Sequence, residues 1–180
     1  MKTLSIMGAL ACIISIPTSA LAQAMPTATA RGSLQFGAGY TYAKPDFGSK
    51  AWQGISGFAD FDFSSHVGVE ADIHYIALIT PYDLAEDTYL FGPRFILPFR
   101  RFKFYAKGLV GDGNFVIQVK QDNPNVLAGN FFTYSVGGGI DILAGHRVVV
   151  RAVDIEYQHW SYLNGLTPTV ITVGAAYQFR

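Results

Sequence analysis

The sequence predicts an all-β fold: an eight-stranded antiparallel up-and-down barrel that crosses a membrane with its strands. Three observations predict it. Over Thr169–Phe179, Ile171, Val173, Ala175, Tyr177 and Phe179 form an apolar face ending in aromatics, while Thr172, Gly174, Ala176 and Gln178 between them are small or polar. A period of two belongs to a strand, and an apolar face ending in rings suits a strand against lipid. The pattern recurs seven times upstream, with connections alternating long and short, which is the rhythm of an even-stranded barrel with short turns at one end. Finally, beyond residue 24 no apolar run approaches the roughly 20 residues of a spanning helix, although 50% of the chain is hydrophobic and 14% aromatic.

The N-terminus has a different purpose. Lys2, the apolar run Leu4–Ile16 and the small-x-small site Ala20-Leu21-Ala22 read as a secretory signal peptide over residues 1–22. Residues 23–31 then form a short periplasmic leader and residues 32–180 the barrel. Cys12 lies inside the apolar run, so the mature chain is expected to hold no disulfide. The full chain has 13 Lys and Arg against 13 Asp and Glu. Such a balance draws in no nucleic acid.

The strands follow in order. The first, Gly32–Ala43, sets Leu34, Phe36, Ala38, Tyr40 and Tyr42 outward. Lys44–Ala51, with Pro45, Asp46 and Gly48, is a loop. Trp52–Phe63 opposes Ile55, Ala59 and Phe61 to Ser56, Phe58, Asp60 and Asp62, and Ser64–His66 is a tight turn. Val67–Leu78 sets Val69, Ala71, Ile73 and Tyr75 against Glu70, Asp72 and His74, and a longer loop holds Pro81, Asp83, Glu86 and Asp87. Thr88–Pro98 carries Pro93, which cannot donate to a ladder and marks an edge or bulge. Phe102–Gly111 alternates Phe102, Phe104 and Ala106 with Lys103, Tyr105 and Lys107. Gly111–Gly129 is the longest connection, and Phe115–Val119 within it could extend a hairpin beyond the membrane. Phe131–Ile142 is the sixth strand. Arg147–His159 breaks its alternation between Arg151 and Asp154, so one extra residue at Ala152–Val153 predicts a β-bulge.

The sorting of charges decides which face is inside. Asp60, Asp62, Glu70, Asp72, His74, Arg94, Lys107, Asp141, Arg151, Asp154 and Glu156 all fall opposite the aromatics. A soluble carrier barrel keeps its apolar face inward and has no room for so many ionic groups. A membrane barrel must turn them in, because Arg or Lys facing lipid at mid-depth costs roughly 2–4 kcal/mol. Depth along the strands predicts one ionic layer in which Asp60 and Glu70 bind Arg94, Lys107 and Arg151. Eight strands leave an interior just wide enough for side chains to fill, so a plugged lumen is expected.

The segments Val67–Asp72, Phe91-Gly92-Pro93-Arg94-Phe95 and Gly174–Phe179 resemble the small OmpA/OmpX-type outer-membrane β-barrel family. The resemblance implies residence in the cell outer membrane, contact with its lipid, and insertion by the barrel-assembly machinery, which reads a last strand ending in aromatics. Tyr177 and Phe179 match that signal, with Arg180 following as a departure. No peptidoglycan-binding domain follows, so that role of larger relatives does not carry over.

His159-Trp160-Ser161 resembles the His-x-Ser of the eight-stranded lipid A deacylases. There a His activates a Ser on the outer face and a carboxylate on the last strand orients the His. The last strand here has no Asp or Glu, so Glu156 would have to substitute. His159, Trp160 and Tyr162 read first as interfacial belt residues, with the deacylase as the alternative. The four His lack metal-ligand spacing, so neither a metal nor a cofactor is expected. Gly137-Gly138-Gly139 precedes no helix and reads as small strand residues permitting curvature. The expectation is a monomeric, non-enzymatic barrel with a structural or surface-interaction role, whose external loops could meet a surface ligand.

Overall fold

A computed structural model describes residues 32–44, 51–76, 84–117, 128–161 and 166–179. The expected signal peptide, leader, Cys12, Tyr162 and Arg180 lie outside these residues. Eight antiparallel strands close into one barrel in chain order: β1 (Ser33–Lys44), β2 (Trp52–Asp62), β3 (Val67–Ile76), β4 (Leu84–Phe99), β5 (Phe102–Ile117), β6 (Ala128–Leu143), β7 (Val148–Trp160) and β8 (Thr169–Phe179). β8 pairs with β1 from Leu34–Phe179 to Lys44–Thr169, so the sheet has no long free edge. Following paired residues once around, Ser33–Asp62–Gly68–Arg94–Lys107–Gly137–Glu156–Val170 re-enters β1 at Ala43, ten residues past Ser33. That stagger tilts the strands against the barrel axis.

The barrel is inside-out. Outward-facing Leu97, Val136 and Phe95 are 65%, 60% and 59% exposed, whereas Asp60, Glu70 and Arg94 are 0% exposed. An apolar outer wall around a polar interior is stable only where lipid replaces water outside. Tyr40, Tyr42, Tyr75 and Tyr89 lie toward the long-loop end, and Phe61, Phe63, Phe99, Phe102 and Phe179 toward the short turns. These are the aromatic girdles of the two interfaces. The short-turn end, which is the periplasmic end of such barrels, is tied together by the backbone: Ile96 N–H donates to His66 O (2.8 Å), Leu143 N–H to Arg101 O (2.8 Å) and Gln178 N–H to Arg147 O (2.7 Å).

The expected bulge is present. Arg151 pairs with Asp141 and Val153 with Ile140, so Ala152 has no partner on β6, and the ladder to β8 shifts between Arg151 and Asp154. Pro93 makes neither an edge nor a bulge. The β4–β5 register is the same before and after Gly92–Pro93, and only the pairing at those two residues lapses. A local gap in one ladder is enough to accommodate the missing donor.

Three strands run further than the alternation suggested. β4 begins at Leu84, β5 continues to Ile117 and β6 begins at Ala128, so Glu86 and Asp87 are strand residues, as are Asp112–Ile117. Beyond the lipid a strand needs no apolar face, so its polar residues look like loop residues. Gly113 reinforced that impression, yet its bareness has a packing reason: a Cβ there would lie 2.5 Å from the Trp160 ring.

Candidate functional site

The interior is built in layers. Near the long-loop end Ala43, Trp52, Ile76 and Val170 pack into a buried apolar cap. Near the short turns Phe58, Val149 and Ala176, with Leu143 against them, form an apolar floor. The ionic band adjoins this floor, with Asp60 two residues nearer the short turn than Phe58, and beside it Lys103 Nζ donates to Asp62 Oδ2 at 3.1 Å. Alternation along each strand delivers one polar side chain to the lumen every second residue, which is why the band draws on six strands.

Three cations organise it. Arg94 pairs with Asp60, with Asp141 and with Glu70 Oε2 (3.3 Å). Arg151 reaches Asp60 (2.8 Å), Glu70 (2.9 Å), Asp141 (3.2 Å) and Asp154 (3.2 Å). Lys107 Nζ lies 2.8 Å from Glu70, 2.6 Å from Asp72, 2.6 Å from Asp154 and 2.7 Å from Glu156. Rings support the guanidinium planes: Arg94 Cζ is 3.9 Å from the Tyr105 centroid and Arg151 Cζ is 3.6 Å from that of Phe58. Cation–π contact and dense hydrogen bonding offset the cost of burying charge.

The structure therefore places Asp60, Glu70, Arg94, Lys107 and Arg151 together in one network. Lys107 contacts Glu70 but is not paired with Asp60. Sequence reasoning left Asp72, Asp141, Asp154 and Glu156 out of the layer, although all four faced inward. Their depth was misjudged, because tilt and the bulge at Ala152 bring residues of unequal sequence depth to one level. His74 adjoins the band, with Nδ1 3.2 Å from Thr88 Oγ1 and Nε2 3.7 Å from Glu156.

Two groups, Asp72–His74–Glu156 and Glu70–Asp72–Asp154, bring their ligand atoms within 4.8 Å of one another. Lys107 is bonded to Glu70, Asp72, Asp154 and Glu156 at once. Its ammonium is thus bonded to every member of the Glu70–Asp72–Asp154 group and to two members of the other.

The triple glycine also has a lumen-side explanation, beyond the curvature expected of it. A Cβ on Gly137 would meet Ile155 O at 2.5 Å and Glu156 Cγ at 3.0 Å, and one on Gly139 would meet the Tyr105 hydroxyl at 2.6 Å. Bare backbone on β6 lets side chains from β5 and β7 cross over it.

The deacylase arrangement does not assemble. Glu156 is 2% exposed, points into the lumen and is held by Lys107 and by Ser135, whose Oγ donates to it at 2.9 Å. His159, three residues on, lies on the opposite face, its ring 4.8 Å from that of Tyr134. An odd spacing along a strand separates the two groups, so Glu156 cannot orient His159. Ser161 is exposed at the strand end, with its N–H donating to Phe132 O at 3.0 Å.

An inverted, plugged eight-stranded barrel defines a small outer-membrane protein. The chain belongs to the outer membrane protein beta-barrel domain family, whose model matches residues 8–179, and its place is the cell outer membrane. None of the curated proteins compared matches it. Among solved structures it is similar to Ail, the attachment invasion locus protein of Yersinia pestis, crystallised with the heparin analogue sucrose octasulfate (18% identity, 82% of this chain and 99% of that one, TM-score 0.56). It is also similar to Neisserial surface protein A (12%, 82% and 97%, TM-score 0.58) and to OprG from Pseudomonas aeruginosa (12%, 83% and 96%, TM-score 0.56). At such identities the likeness shows a shared fold.

Proposed function

We propose that the protein is a non-conducting, non-enzymatic barrel, monomeric in the outer membrane, with a role in envelope structure and contact at the cell surface. The observation that carries this reading is the filled lumen: two buried apolar clusters and a dense network of buried ion pairs occupy it. The strand extension of β4–β6 supports the surface role. Across its outer face Tyr75, Asp87, Asn114 and Asn130 form one cross-strand row, with Asp112 in the row below. The row offers carboxylate and amide groups, suited to a partner with basic or hydrogen-bonding groups. Tyr177 and Phe179 serve as the signal read by the assembly machinery.

Planar-bilayer recording of the purified protein tests the core of this reading. The expected result is no step-like conductance. Stable unitary currents would overturn it.

A further inference from the structure

The β4–β5 turn holds its first residue in an unfavourable conformation. Phe99 pairs with Phe102, leaving Arg100 and Arg101 as a two-residue connection. Arg100 has φ 57°, the one positive value at a non-glycine among the described residues. A two-residue hairpin with positive φ at its first central position favours Gly there, and a long side chain in that region is strained. An arginine at a glycine position calls for an account of what its side chain does.

Its guanidinium is turned toward the membrane. Arg100 Cζ lies 5.9 Å from the ring centroid of Phe99, which is 61% exposed on the lipid-facing wall. No carboxylate pairs with Arg100 among the described residues. The cation is therefore set at the level of the periplasmic aromatic girdle, where phospholipid headgroups lie. Beyond the Phe99–Phe102 pair, on the same outer face of β4 and β5, is a groove of about 330 Å³ lined in part by Phe95, Leu97, Phe104 and Ala106. Phe95 pairs with Ala106 and Leu97 with Phe104, so the small Ala106 makes the gap between larger side chains. The Phe99–Phe102 pair stands between the cation and this groove, which lies further up the hairpin on the side of the hydrocarbon layer.

We propose that this hairpin is a binding site for an anionic glycerophospholipid of the inner leaflet, its phosphate on Arg100 and one acyl chain in the Phe95–Leu97–Phe104–Ala106 groove. The cation, the apolar trough and their order along the membrane normal match one molecule with a charged head and a hydrocarbon tail. Guanidinium suits phosphate through parallel N–H donors. The strain at Arg100 is sustained because the side chain has a ligand that Gly would not hold.

The test is native mass spectrometry of the protein from micelles containing equal parts of dioleoylphosphatidylglycerol and dioleoylphosphatidylcholine. The wild type is expected to retain the anionic lipid about fivefold over the zwitterionic one, the preference one arginine near a headgroup supports. Arg100→Gly removes the cation and suits the turn, so it should bring the two lipids to parity without lowering thermal stability. Ala106→Phe fills the groove and should reduce retention of both lipids while keeping the preference. An unchanged preference in Arg100→Gly overturns the headgroup assignment, and undiminished retention in Ala106→Phe overturns the groove. Binding of the wild type to purified peptidoglycan sacculi, lost in Arg100→Gly while lipid preference persists, would assign the turn to the cell wall and overturn the proposal.

Discussion

Lys107 and Glu156 meet on the inner wall with Nζ 2.7 Å from Oε1, reaching each other over the bare backbone of Gly137. The three residues form one row of the sheet, on β5, β6 and β7. The same ammonium contacts Glu70, Asp72 and Asp154; Glu70 and Asp154 also reach an arginine, whereas Asp72 and Glu156 pair with no arginine among the described residues. Lys107→Met keeps most of the volume and removes the charge. Stranding buried carboxylates in this way costs on the order of 3–5 kcal/mol. The expected outcome is a clear drop in the temperature at which the purified barrel loses its compact, unboiled mobility on a gel. An unchanged transition would show that the band contributes little to stability.

Gly137 should be intolerant for a reason of space. Its Cβ would press on Ile155 O at 2.5 Å, a backbone atom that cannot swing aside. Gly137→Ala is expected to destabilise by about 1–3 kcal/mol, the range for overpacked interiors, whereas an Ala at Gly108, where nothing lies within 4 Å of the added carbon, should be near neutral. Thermal unfolding of the two variants side by side checks this, because both lie in neighbouring strands and share any general propensity effect.

The strand order, the inward sorting of charge and the bulge were legible because lipid enforces a strict period of two: at Val69, Glu70, Ala71 and Asp72 every residue declares its face. The rule fails outside the lipid. Glu86 and Asp87 carry opposite orientations yet the same chemistry, and Gly111 and Gly113 look like loop residues although a Cβ on one would meet Tyr89 O and on the other the Trp160 ring. Partner identity within the band was legible only in part. Which carboxylate Lys107 takes depends on tilt and on the extra residue at Ala152, and single-strand patterns contain neither. The turn over Pro98–Arg101 was legible from the rhythm of the strands, but the strain at Arg100 was not, since Arg-Arg carries no turn signal of the kind Gly would give.

Deleting Ala152 tests whether the sorting of faces on β7 needs the bulge. Without it Arg151 and Asp154 lie two residues apart, the regular spacing of one face, so both still face inward and the ladder to β6 becomes continuous. Deleting Ile155 from the regular stretch instead makes Asp154 and Glu156 neighbours, which turns one of these carboxylates to lipid and takes it from Lys107. The Ala152 deletion is expected to show the mobility shift of a folded barrel after refolding into detergent, and the Ile155 deletion little or none. Ala152→Ser, which keeps the residue count, should refold normally. Equal yields from the two deletions would mean that the register can slip elsewhere without penalty.

Phe179 separates stability from assembly. Its ring meets Phe36 of β1 at 6.0 Å and Tyr177 at 4.8 Å, so it lies on the β8–β1 seam, among lipid-facing residues. Phe179→Ala removes contacts from a half-exposed ring, and a partly lipid-exposed truncation should lower the unfolding temperature of refolded protein only slightly. If Tyr177 and Phe179 form the signal read during insertion, the same change should sharply reduce the amount of folded barrel in the outer membrane of living cells. The measurement is therefore paired: heat-modifiable protein in isolated outer membranes against unfolding temperature in detergent, for wild type and Phe179→Ala. A large loss in cells with a small loss in detergent assigns the ring to assembly. Parallel losses would make it a packing residue of the seam and remove the reason for treating Phe179 as a signal.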